Sequence, residues 1–86
     1  MSTQIAIVVT FMPATATQEA RYKAVSTFGG HIRAQQSSLE GAGNALLAAD
    51  ELCRKLEQTD GRVWHTQAPP MDNPSKGGSW VVVAKC

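Results

Sequence analysis

Cysteine, histidine and aromatic residues are all scarce in this chain. Cys53 and Cys86 are the only thiols, too few for a disulfide scaffold, and they point to a reduced, cytosolic setting. With His31 and His65 they are spaced 22, 12 and 21 residues apart, and no CxxC or HxxxH pair exists to nucleate a zinc site. No apolar run exceeds five residues, which excludes a transmembrane helix. Residues 1–4 carry neither the positive start nor the apolar stretch of a signal peptide. A net charge of +1 excludes polycation behaviour and leaves only a local patch to attract phosphates or acidic surfaces. The 86 residues hide roughly 60–65% of their unfolded surface on folding. That supports one core and hence a single domain, 1–86, with no repeats and no linker.

What is present is a pattern of short strands around one helix. Gln4–Met12 is β-branched and apolar on both sides of the pleat, as in a strand from the middle of a sheet. Pro13 ends it. Residues 19–27 and 31–37 alternate as two strands of a hairpin turning at Phe28-Gly29-Gly30. A three-residue loop puts Tyr22, Ala24, Ser26, Ile32 and Ala34 on the inner face and Arg21, Lys23, His31 and Arg33 on the outer one. A two-residue Gly-Gly turn shifts the register and sets Phe28, His31 and Arg33 beside Tyr22. The first register is preferred because it keeps the charges together in water.

From residue 39 to about 58 the period becomes helical. Leu39, Ala42, Leu46, Ala49, Cys53 and Leu56 form the stripe, widened by Ala45 and Leu52. Ser37 or Ser38 is the expected cap, with Glu40 placed as in a capping box. Gly41 and Gly43 each cost about 1 kcal/mol against alanine, so the regular helix is expected nearer Asn44. Asp60-Gly61 stops it. Asp50, Arg54 and Glu57 read as a solvated face. Leu46, Ala49, Cys53 and Leu56 should pack on Ile5, Ile7, Val9, Val81 and Val83. Residues 62–67 suggest a short strand, 68–78 a Pro/Gly loop and 79–84 a strong strand. The fold class is α+β. The order is β-β-β-α-β-β, giving a mainly antiparallel sheet of four to five strands with one helix on one face.

The residues give little support to catalysis. The seven carboxylates fall on turns or on the polar side of the helix, so no pair has the apolar setting that separates an acid from a base. Gly41-x-Gly43 lacks the spacing of a phosphate loop. Cys53 lies on the apolar stripe and reads as a small buried hydrophobe. Arg54 and Lys55 fit the negative end of the helix dipole. No metal and no cofactor is expected. Arg21, Lys23, His31 and Arg33 are the candidate binding residues, since both hairpin strands present them without a carboxylate between. Tyr22, Phe28, Trp64 and Trp80 offer rings for base stacking.

Asn44 to Leu56 fits N-x3-A-A-x2-L-C-R-K-L, and Arg21-Tyr22-Lys23-Ala24 fits R-h-K-A. Together they resemble a group of small proteins of bacterial prophages, phages and plasmids. That group usually continues with Gly-Trp where Glu57-Gln58 stand here, and its activity is unassigned. The resemblance implies a mobile-element origin and the cytoplasm of a bacterial host. The expected function is then a non-enzymatic protein that docks on a host protein or nucleoprotein machine, an anti-CRISPR or other anti-defence inhibitor. The alternative is a nucleic-acid-binding module using the outer sheet face, and a small enzyme comes third. No membrane partner is expected.

Overall fold

A computed structural model describes residues 3–73 and 77–86, with Asp60 by its backbone alone. The elements are β1 (Gln4–Met12), β2 (Arg21–Ser26), β3 (Gly29–Ala34), α1 (Gly41–Asp60), β4 (His65–Asp72) and β5 (Ser79–Lys85). The strands make one antiparallel sheet in the order β3-β2-β1-β5-β4, with the helix packed on one face. The fold is α+β, in the element order that the sequence patterning predicts. β1 is the central strand, as its apolar residues on both faces require.

Alternation divides each strand between a helix side and an open side. Ile5, Ile7 and Val9 are buried beneath the helix, together with Tyr22 and Ala24 of β2 and Val82 and Ala84 of β5. Val81 and Val83, expected in this core, instead lie on the open side, because Val82 pairs with Ile7 and Val83 with Ala6.

The hairpin takes neither expected turn. Ser26 pairs with Gly29, so Thr27-Phe28 is the turn and Gly29 opens β3. The Ser26 hydroxyl accepts from the Phe28 amide at 3.1 Å and donates to the Gly29 carbonyl at 3.2 Å. Gly29 sits at φ +151°, which side-chain-bearing residues rarely adopt. The resulting register pairs Ala24 with His31 and Tyr22 with Arg33. His31 and Arg33 therefore face the helix side, while Ile32 and Ala34 join Arg21 and Lys23 on the open side. The preferred outer-face cluster of Arg21, Lys23, His31 and Arg33 is thus corrected to two pairs on opposite faces.

β4 is longer than its apolar content suggested, continuing through residues 68–72 to Asp72. It carries a cis Ala68-Pro69 bond and a register shift between Gln67 and Met71. Proline is tolerated here because β4 is an edge strand. Residues 74–76 of the expected loop lie outside the described residues.

The helix starts at Gly41 without the expected Ser37 or Ser38 cap; Glu40 is the N-cap and makes no side-chain cap hydrogen bond. Asn44, fully buried in the first turn, instead ties the preceding loop to the helix. Its Nδ2 donates to the carbonyls of Gln36, Leu39 and Glu40 at 3.0–3.1 Å, and its Oδ1 accepts from the Gln36 amide at 2.8 Å. Gly61, left-handed at φ +76°, ends the helix and donates to the Glu57 carbonyl. Because the helix runs to Asp60, Arg54 and Lys55 lie outside its last turn and do not cap its dipole.

The buried helix face is Ala45, Ala48, Ala49, Leu52, Cys53 and Leu56. Leu46 is only partly buried at its margin, so the stripe is centred on the residues expected merely to widen it. At one end a Phe11–Tyr22–Trp80 cluster, with ring centroids 5.2 and 5.8 Å apart, fills the space beneath the first turn. A methyl group on Gly41 would stand 2.8 Å from the Trp80 ring.

Leu52→Ala should lower unfolding free energy by about 2–5 kcal/mol, and Leu46→Ala by clearly less, both read from urea denaturation. Gly41→Ala should destabilise through Trp80. Gly43→Ala meets only ordinary contacts with Leu39 and should gain about 0.5–1 kcal/mol. Equal responses of the two glycines would contradict the packing at Trp80.

Candidate functional site

On the helix side, two consecutive carboxylates hold opposite edges of the sheet. Glu51 Oε1 lies 2.8 Å from His31 Nε2, and its Oε2 accepts from Arg33 Nη1 at 2.5 Å, both partners on edge strand β3. Asp50 accepts a short hydrogen bond from the Thr66 hydroxyl of edge strand β4. Asp50 is therefore half-buried and engaged, not part of a solvated face. Lys55 Nζ donates to the Gly30 carbonyl at 3.0 Å, and Arg33 Nε to the Ala34 carbonyl at 3.2 Å. Side chains thus use part of the β3 edge's hydrogen-bonding capacity.

On the open side no element of the described residues covers the sheet. Val8 (38% exposed), Val25 (41%), Ile32 (51%) and Met71 (54%) stand out of it, with Ala6, Val81, Val83 and Ala34 between them on the same parity. Lys23, between Thr10 and Ile32, and Arg21, between Met12 and Ala34, lie on this face. Lys85 stands at the diagonal corner, paired with Gln4 and His65. Among the described strand residues this face carries no carboxylate: Asp72, the one acid within a strand, pairs with Trp80 on the other side. Exposed apolar side chains in a contiguous group mark interaction surfaces on small domains.

An open cleft of about 400 Å³ lies at the corner of this face. Arg21, Ile32, Arg33 and Ala34 line it, with the 18–20 segment, including Glu19, forming the rest. Arg21 and Arg33, set on opposite faces by the register, both line it. Of the four candidate binding residues, Arg21 and Lys23 belong to the open face, whereas His31 and Arg33 are joined to Glu51. The open apolar face was not identified from sequence as a site. The signal was Ala6, Val8 and Met12 on the second side of β1, legible as burial in a central strand but not as a bare surface.

The rings proposed for base stacking do not form a platform. Tyr22 and Trp64 are buried and Trp80 is half-buried, all on the helix side. Phe28 is exposed at the turn, against Trp64 at 5.9 Å. Among the described residues no group of three His, Cys, Asp or Glu side chains converges as a metal ion needs, and no helix is long and apolar enough to cross a membrane. Burial, and then the negative charge of Asp50, push the Cys53 thiol up to about 11 from its ordinary 9.0. Such a thiol is a poor nucleophile at neutral pH. Burial also raises the Tyr22 phenol. No family model, curated protein or solved structure matches this chain.

Glu51→Ala should cost about 1–2 kcal/mol, since it removes partly solvated contacts with the Arg33 guanidinium and the His31 ring, while Glu57→Ala at an exposed position should stay within about 0.5 kcal/mol. Iodoacetamide at neutral pH should label Cys86, which is exposed, and spare Cys53 until the chain unfolds. Because the fold holds the Cys53 thiol protonated, stability should be intact below pH 9 and fall as pH rises towards 11. Cys53→Ala should remove that part of the fall.

Proposed function

We propose that this chain is a non-enzymatic binding protein whose working surface is the bare face of its sheet. In this account it docks on a host protein or nucleoprotein machine and alters it, in the manner of an anti-CRISPR or other anti-defence inhibitor. The observation that carries the docking role is the exposed group Val8, Val25, Ile32 and Met71 on a face that no part of the described chain covers. A sheet face left apolar in the free protein is stabilised by whatever removes it from water, at about 25 cal/mol per Å² buried.

The two edges are poorer docking sites. Prolines and the register shift interrupt β4, and side chains of Lys55 and Arg33 occupy carbonyls of β3. Strand addition needs a long free ladder. The mobile-element origin that selects a host machine as partner is drawn from the R-h-K-A and L-C-R-K-L resemblance, by analogy.

The test uses Val8→Gln with Val25→Gln, which makes the centre of the face polar without adding charge. Expression of the unaltered chain in a bacterial host with active CRISPR immunity should raise plating of a targeted phage at least tenfold. The double variant should lose that effect while its melting temperature stays within a few degrees. Arg54→Gln with Glu57→Gln, on the exposed side of the helix, should behave as the unaltered chain. Unchanged plating with the unaltered chain would refute the anti-defence form, and full activity of the double variant would refute docking by this face.

A further inference from the structure

We infer that the occupant of the bare sheet face is a protein surface presenting carboxylates around apolar side chains. This rests on the reading of that face as the docking surface and adds the chemistry of the partner. Charge is unevenly divided between the two sides of the molecule. Glu40, Asp50, Glu51 and Glu57 lie at the cap or on the helix, together with Arg54 and Lys55, and Glu51 faces Arg33 of β3. The open face carries Arg21, Lys23 and Lys85, with His65, and no carboxylate among the described strand residues.

That segregation discriminates between occupants. A second copy seated face to face would bring Arg21, Lys23 and Lys85 against the same three cations, with Glu19 at the cleft beside Arg21 the carboxylate set against them, and like charges juxtaposed in an interface cost several kcal/mol. A nucleic acid would satisfy Arg21, Lys23 and Lys85, but its phosphates gain nothing from Val8, Val25, Ile32 and Met71. The rings that might stack its bases are on the helix side. An acidic protein surface with apolar anchors uses both features: its apolar side chains cover the valines and its carboxylates meet the cations. The cleft at the corner, lined by Ile32, Ala34, Arg21 and Arg33 with Glu19 at its other side, provides a place for one apolar anchoring side chain. Interfaces draw most of their energy from a few such anchored positions.

The test places the photo-crosslinker p-benzoylphenylalanine at Thr10, on the open face beside Lys23, in the tagged full chain. The probe is bacterial host lysate, with and without nuclease, and crosslinked peptides are sequenced. The expected result is nuclease-resistant crosslinking to peptides that carry Asp or Glu next to apolar residues. Arg21→Glu with Lys23→Glu should lower the yield at least tenfold, and Arg21→Gln with Lys23→Gln should lower it less. Melting temperatures should stay within a few degrees, as exposed charges affect folding little.

Loss of yield in Val8→Gln with Val25→Gln but not in the charge-reversed variant would overturn the acidic partner and leave the docking face standing. Full yield in both variants would overturn the docking face itself. Nuclease-sensitive crosslinks would assign the face to nucleic acid, and crosslinks only to the chain's own peptides would assign it to a second copy. Either result overturns the inference.

Discussion

One helix has to close a five-stranded sheet. Four inter-strand spacings make that sheet about 19 Å wide, whereas an α-helix with its side chains is about 10–12 Å across. Much of the architecture answers this mismatch. Alanines at 45, 48 and 49 let the helix axis approach the central strands, where Ile7, Val9 and Val82 are fully buried. Towards the edges apolar contact runs short, and polar side chains take over. Glu51 reaches His31 and Arg33 on one edge, and Asp50 reaches Thr66 on the other. Adjacent residues on a helix point about 100° apart, so consecutive carboxylates are suited to serve both flanks. Under the first turn the gap is filled by Trp80 against Gly41, with Asn44 holding the preceding loop in place.

The second consequence of a single helix is that, among the described residues, nothing covers the other side of the sheet. The helix side carries acids and bases together, whereas the open face carries cations and no carboxylate among the described strand residues, so the molecule has two chemically different sides. Its edges are interrupted by prolines or occupied by side chains. The face therefore offers a partner exposed apolar side chains to remove from water, and its charge bears on which partner gains by doing so.

Much of the fold was legible in the sequence because strand and helix periods differ and each element had one. The central position of β1 followed from apolar residues on both its sides. Gly61 marked the end of the helix through its left-handed conformation. The hairpin register was misread for a definable reason. Keeping Arg33 and His31 in water is the cheaper choice for an isolated hairpin, but Glu51, twenty residues beyond His31 in sequence, supplies a partner that local patterning does not show. Leu46 and Leu52 were ranked wrongly because a stripe several residues wide leaves its centre undetermined to within one position. Asn44 carried no signal as a loop anchor, since its partners lie up to eight residues back along the chain. The candidate site was half legible: Arg21 and Lys23 lie on the open face as alternation required, and the apolar ground around them emerged only once β5 was placed beside β1.

The central claim, that the open sheet face is where a partner sits, is tested most directly by amide chemical-shift mapping of the isotope-labelled chain against a partner isolated by crosslinking. Perturbations should centre on Ala6, Val8, Lys23, Val25, Ile32, Val81 and Val83 and leave the exposed helix positions Arg54 and Glu57 unmoved. Perturbations centred on Arg54 and Glu57, with the valines unchanged, would contradict it.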